Sequence, residues 1–324
     1  MYVICIESSN IRGMGHLFRS LLYVEYFKQH GIDFILLINN DAPSLEVLKR
    51  NNIEYILVDF SDTISNWEEK IIRQNHVTVW INDKFKTSLA LGKHVTETGC
   101  VFCLIDDMGE AEKVADIHFA GMIYPTKKDI KGKKVYCGSE YIILNPQIAE
   151  YKRIRHYLNK LIVSLGGSDP YGVTVEVAKE LLNYDYDVDI IIGPNFKYRK
   201  DLDNTLHGKY NVYQNVPSLI EKFFEYDFAI TGGGVTCCEA NAAGLPCMII
   251  ANAEHEKNTG HYVSSLGGSV YAGDFTNWNK QLLKELPCYD LQCMSRCGMK
   301  AFRLDTVERI INTISNYERE RSTL

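Results

Sequence analysis

The sequence predicts an α/β protein made of two doubly wound, Rossmann-like domains facing a cleft. Near-continuous apolar runs such as YVICI, FILLI and VFCLI alternate with amphipathic helical stretches, and the same alternation starts afresh at Lys160. In each half the first strand ends in a glycine turn, SSNIRGMGH and then SLGGSDP. Runs without polar alternation are strands buried on both faces, as in a parallel sheet covered by helices. A length of 324 residues exceeds one ordinary core and suits two domains.

Taken in order, YVICIES is a strand, and HLFRSLLYVEYFKQH is a helix with Leu17, Leu21, Leu22, Val24 and Phe27 toward the sheet and Gly31 as its stop. DFILLINN, EYILVDF, VTVWIN and CVFCLIDD follow as strands, with helices over 44–50, 65–74 and up to Lys93. ADIHFAGM is a short extra strand before the polar, lysine-rich TKKDIKGKK. The helical YKRIRHYLN, residues 151–159, is expected to join the halves, so the domains are expected at 1–155 and 156–300. In the second half LIVSLGG, VDIIIG, NVYQNV, FAIT and PCMII are strands separated by helices. Residues 301–324 end in an amphipathic helix expected to cross back to the first domain.

Composition narrows the function classes. A hydrophobic fraction of 46%, a charged fraction of 23% and the lack of low-complexity tracts fit a folded globular protein. A net charge of −6 argues against a nucleic-acid partner. MYVICIESS enters a strand directly without a basic leader, and no apolar run approaches membrane-spanning length, so a cytoplasmic protein without a transmembrane segment is expected, a monomer or weak dimer. Its ten cysteines then stay mostly reduced. Cys100 and Cys103 have CxxC spacing, but on a strand residues three apart face opposite ways and cannot share a metal. Cys288, Cys293 and Cys297 lack a His or carboxylate at zinc-site spacing, and no metal or cofactor is expected.

The richest stretch is FAITGGGVTCCEANAAGLP, a strand, three glycines and a helix of small residues. Gly232, Gly233 and Gly234 let backbone N–H groups approach a ligand, and the helix start that carries Thr236 favours an anion such as phosphate. An ordinary βα turn reads the same way on glycine count alone. Glu239, a lone acid on that helix, suits the two hydroxyls of a ribose, or else serves the helix dipole. Gly167 and Ser168 in the LGGSDP turn are phosphate candidates, with Asp169 equally suited to capping the next helix. After the PCMII strand, His255, Glu256 and Asn258 form a polar loop at the same carboxyl edge. In the first half Gly13 and Gly15 open the turn, Arg19 lies one turn into the helix, and His16 at the helix start is a candidate base toward water or a hydroxyl. Asn82, Asp83 and Lys84 end one strand and Asp106 and Asp107 another, where structural or capping work is expected of at least one acid.

The ordered set GMGHLFR, IDD, LGGSDP and TGGGVTCCEANAAGLP resembles the UDP-sugar hydrolase of pseudaminic acid biosynthesis and its spore-coat polysaccharide relatives, a group with the two-domain GT-B fold. The resemblance covers nearly the whole chain. It implies hydrolysis of a UDP-linked 2,4-diacetamido-2,4,6-trideoxy sugar at the anomeric carbon, releasing UDP without a required metal. On this resemblance His16 matches the catalytic His, Gly13 and Gly15 the glycines beside the sugar diphosphate, Gly232, Gly233 and Thr236 the pyrophosphate loop, and Glu239 the ribose acid. The chain has Asp83, Lys84 and Phe85 where the family often has Asp-His-Tyr, and His255 and Glu256 where it has Asn-Gln. Both departures fall at the sugar end. The alternatives are a glycosyltransferase of the same fold and an inactive nucleotide-sugar-binding subunit.

Overall fold

The computed structural model describes residues 1–9, 14–167, 169–214, 216 and 218–323, with residue 322 by its backbone. The chain divides into two compact units: Met1–Ile143 together with the segment from Asp305, and Leu144–Leu304.

The first unit runs β1 (Tyr2–Ile6), α1 (Gly15–His30), β2 (Phe34–Ile38), α2 (Ala42–Arg50), β3 (Ile56–Leu57), α3 (Trp67–Asn75), β4 (Val79–Asp83), α4 (Leu89–Glu97), β5 (Val101–Ile105), β6 (Ile117–Ala120) and β7 (Lys134–Cys137). Its seven strands are parallel in the order β3-β2-β1-β4-β5-β6-β7. The period of two along each strand splits the core. Ile4, Ile6, Ile81 and Cys103 pack with Leu17, Tyr23, Val24 and Phe27 of α1, while Val3, Cys5, Trp80 and Phe102 face Ile72, Leu91 and Val95 of α3 and α4. Cys103 lies in the first of these clusters and Cys100 in the second, so the pair does face opposite ways.

Three details depart from expectation. The buried face of α1 is Leu17, Ser20, Tyr23, Val24 and Phe27, with Leu21 and Leu22 only partly covered; Ser20 tolerates burial because its hydroxyl donates to the Leu17 carbonyl at 2.7 Å. The third strand shrinks to Ile56–Leu57, both exposed at the sheet edge. β7 forms within the segment that begins lysine-rich. Lys133 meets Asp116 at 2.8 Å and Lys134 meets Glu320 at 2.6 Å, so these charges do not oppose the edge strand.

The second unit repeats the plan: β8 (Lys160–Ser164), α5 (Val173–Leu181), β9 (Asp187–Ile192), α6 (Arg199–Leu206), β10 (Asn211–Gln214), α7 (Leu219–Lys222), β11 (Phe228–Thr231), α8 (Val235–Ala242), β12 (Cys247–Ala251), α9 (Glu256–Ser265), β13 (Ser269–Asp274), β14 (Asn277–Trp278), α10 (Leu282–Glu285) and α11 (Leu291–Ala301). The order is β10-β9-β8-β11-β12-β13-β14, parallel except for the β13–β14 hairpin, a pair of strands not expected from the sequence. Residues 152–159 are not helical. Arg155 is fully buried there, and its guanidinium donates to the carbonyls of Arg153, Tyr226, Ala243 and Phe223 at 2.5–3.2 Å, which holds the segment against this unit. The last helix, α12 (Thr306–Ser322), belongs to the first unit: Val307, Ile310, Ile311 and Ile314 enter the core beside α1, and Arg309 pairs with Glu140 at 2.7 Å.

In both sheets the strand order reverses beside the first strand, between β1 and β4 and between β8 and β11. Ligands in doubly wound folds gather at the carboxyl ends of the strands at that point.

Candidate functional site

At the switch point of the first sheet, Ile6 of β1 lies in register with Asp83 of β4. His16, the second residue of α1, presents Nδ1 to Asp83 Oδ1 at 2.6 Å and keeps about a quarter of its side chain (24%) in solvent. Arg19, one turn on, donates from Nε to Asp83 Oδ2 at 2.7 Å, from Nη2 to Asp83 Oδ1, and from Nη1 to Asp106 Oδ2 at 2.5 Å. Burial alone would raise the Asp83 carboxyl, but the adjacent Arg19 guanidinium and His16 bring it down to about 2. Burial disfavours the Arg19 charge, and the Asp83 and Asp106 carboxylates outweigh it and raise its pKa above the ordinary value. The result is a fixed carboxylate behind a partly exposed imidazole, which leaves Nε2 as the ring nitrogen away from Asp83. Asp83 is the partner that sequence reading missed as such; its signal is a lone acid at the carboxyl end of the strand beside the His16 turn.

The other acids at this edge do structural work. Asp106 Oδ1 accepts the N–H groups of Gly121 and Met122 at 2.8 Å. Asp107 accepts the Thr87 hydroxyl and the Gly109 N–H, the latter at 2.6 Å. Asn82 is turned inward to Thr87 at 2.6 Å, and Lys84 is buried over the Phe60 ring, 3.4 Å from its centroid. Phe85 stands half-exposed. Among the described residues nothing lies within 4 Å of a Cβ placed on Gly15. Gly13 lies outside the described residues.

At the switch point of the second sheet, the glycine turn joins β11 to α8, whose N-terminus carries no side-chain cap and no acid in its first turn. Thr236 is the second residue of that helix and partly exposed. Glu239 is in the second turn of α8 rather than the first, where a role toward the helix dipole would act. Its carboxylate has no partner among the described residues, and burial pushes it up to about 7. Beside the turn, Asn252 donates from Nδ2 to the Leu165 carbonyl at 2.9 Å, while Asn252 Oδ1 and Thr231 Oγ1 are buried with no hydrogen-bond partner among the described residues. Unpaired buried polar atoms are rare in native proteins and call for a functional account. Neither residue was singled out from the sequence.

Gly167 is exposed at the same edge, with nothing within 4 Å of a Cβ built on it. Asp169 caps α5, accepting the N–H groups of Val173 and Thr174 at 2.9 and 2.8 Å, and Ser168 lies outside the described residues. The expected polar loop at 255–258 is the start of α9. Glu256 is the first residue of that helix; His255 and Asn258 are exposed beside it. The Glu256 carboxylate is engaged rather than open, accepting the N–H groups of Gly233 and Asn252. Among the described residues no three of His, Cys, Asp and Glu converge to hold a metal ion, and no helix is long and apolar enough to cross a membrane.

No family model matches the chain. It is 25% identical over 276 residues to an uncharacterized protein of Methanocaldococcus jannaschii, covering 78% of this chain but only 56% of that one, so it spans little more than half of that relative. It is 21% identical over 276 residues to the spore coat polysaccharide biosynthesis protein SpsG of Bacillus subtilis, covering 81% of this chain and 80% of that protein. Among solved structures it is similar to MurG of Acinetobacter baumannii, with a TM-score of 0.69, 14% identity and coverage of 97% of this chain and 99% of that one. It is also similar to MnaA of S. aureus solved with UDP, with a TM-score of 0.65, 16% identity and coverage of 98% and 97%. The two parallel-sheet α/β domains are of the GT-B kind.

Proposed function

We propose that this protein hydrolyses a UDP-linked amino sugar at its anomeric carbon, in the biosynthesis of a nonulosonic acid of the pseudaminic type or of a surface polysaccharide. The observation that carries the reading is the Asp83–His16 contact at the switch point of the first sheet. His16 takes a proton from water at Nε2 while the water oxygen forms its bond to the anomeric carbon. The bond from that carbon to the phosphate oxygen breaks, and UDP leaves with the electron pair. Asp83, held ionised by Arg19, orients the imidazole and stabilises the imidazolium that forms. The second domain supplies the handle: the Gly232–Gly234 turn and α8 for the diphosphate, Glu239 for the ribose hydroxyls. The spore-coat relative and the UDP-bound neighbour support this reading.

A transferase acting on a membrane-bound acceptor would be served by a basic patch on the first domain. Four of the five lysines of 126–134, namely Lys127, Lys131, Lys133 and Lys134, each pair with an acid, so the segment offers little of one. The test is UDP release from a panel of UDP-linked acetamido sugars, with and without added sugar acceptors. Release in water alone that falls roughly 10²–10⁴-fold in His16→Ala supports hydrolysis. Release only with an acceptor makes the protein a glycosyltransferase, and UDP binding with no turnover makes it a binding subunit.

A further inference from the structure

The three glycines ahead of α8 are shaped around an acidic side chain of their own domain. Glu256 Oε2 accepts the Gly233 N–H at 3.0 Å and the Asn252 N–H at 2.7 Å. A Cβ on Gly232 would stand 3.1 Å from Glu256 Oε2, one on Gly234 3.3 Å from Oε1, and one on Gly233 only 2.5 Å from the Glu256 carbonyl oxygen. The last distance is a clash that only glycine avoids. Backbone donors at a glycine turn ahead of a helix attract an anion, and the anion already seated on the Gly233 N–H is this carboxylate. It does not complete the hydrogen bonding of the corner, since Thr231 Oγ1 and Asn252 Oδ1 stay unpaired among the described residues. Both residues are more than nine-tenths buried.

We propose that Glu256 is a resident anion that competes with the diphosphate for the glycine turn and so sets the protein's selectivity among uridine nucleotides. The inference rests on the second domain being the nucleotide-binding one. A diphosphate that reaches the Gly233 N–H must displace the carboxylate or lie beside it, and either costs affinity. The cost grows with phosphate charge, so it weighs more on free UDP, with its terminal phosphate, than on a UDP-sugar, whose second phosphate is esterified. Glu256 therefore favours departure of the product over loss of the substrate. Uridine carries no phosphate and is indifferent to it. A glutamine at this position keeps an acceptor oxygen for both N–H groups and removes the charge.

The experiment is calorimetric titration of UDP and of uridine into wild type, Glu256→Gln and Glu256→Asp, each first shown to be folded by its thermal transition. The expected result is UDP binding roughly tenfold tighter in Glu256→Gln, with no gain in Glu256→Asp and uridine unchanged in both. UDP binding to Glu256→Gln that is equal to or weaker than that of wild type overturns the inference and leaves the nucleotide assignment standing. An equal gain for uridine, or a gain in Glu256→Asp, overturns it as well, because charge is then not the cause. UDP binding to neither wild type nor Glu256→Gln removes the nucleotide assignment itself, and this inference with it.

Discussion

Glu239, the proposed ribose ligand, offers the sharpest perturbation, because its burial makes it a cost to the fold. Its carboxyl is pushed from an ordinary 4.5 up to about 7 by burial alone. Below the ordinary value both folded and unfolded chains hold the proton. Between about 4.5 and 7 the unfolded chain releases it while the folded one keeps it, so stability falls as pH rises and levels off above about 7. The full penalty is roughly 3 kcal/mol, an upper figure because the residue keeps some solvent contact. Glu239→Gln should therefore match wild type near pH 4 and exceed it by as much as about 3 kcal/mol near pH 8 in urea denaturation. Binding should move the other way. Uridine, which has no group titrating in this range, needs the ionised carboxylate for its ribose hydroxyls, so its affinity for wild type should fall about tenfold from pH 8 to pH 6. Glu239→Gln should bind uridine weakly at both. A variant no more stable than wild type at pH 8, together with a flat uridine profile, would refute the reasoning.

Further outcomes follow from the ion network and the buried arginine. Asp83→Asn should cut UDP release by roughly 10²-fold or more with the domain still folded, and unchanged release would remove Asp83 from the mechanism. The depressed carboxyl of Asp83 also gives stability that is present above its ordinary 3.8 and lost as pH falls through about 2, so the variant should show a shallower acid transition in that window. Arg19→Met removes the guanidinium that balances two buried carboxylates and should cost roughly 3–5 kcal/mol by denaturation, where a loss under about 1 kcal/mol would contradict the structure. Arg155→Met removes a donor from four backbone carbonyls; those of Phe223, Tyr226 and Ala243 keep a second donor, while that of Arg153 has no other among the described residues, at roughly 1–3 kcal/mol where burial is kept. Its urea midpoint should drop well below that of wild type, and an unmoved midpoint would mean that water replaces the guanidinium.

The glycine turns are legible in the sequence, because an apolar run that stops at glycines and resumes as a helix has few other folds open to it. What glycine counting leaves open is the occupant of such a turn, and here the answer comes from Glu256, 23 residues beyond Gly233 in the chain. The Asp83–His16 contact joins residues 67 positions apart, a separation that strand order settles and local pattern does not. The 151–159 stretch reads as a helix from composition, yet residues 152–159 are not helical, because one arginine finds the carbonyl of Arg153 and three on other segments and tertiary bonding overrides propensity. β7 hides behind lysines whose acidic partners lie 17 and 186 residues away. β13 goes unread because SVYAGD mixes small and polar residues in a strand only partly covered.

The placement of α12 bears on how the protein is made. A ribosome finishes β7 and the residues up to Ile143 long before it reaches Thr306, and at ordinary elongation rates the gap is roughly 10 to 30 seconds. Through that interval the nascent first domain lacks Val307, Ile310, Ile311 and Ile314, and the core they share with Phe27, Phe119 and Tyr141 is incomplete. The second domain, continuous from Leu144 to Leu304, has no such wait. The half that carries the proposed catalytic histidine is thus the later one to complete its core during synthesis.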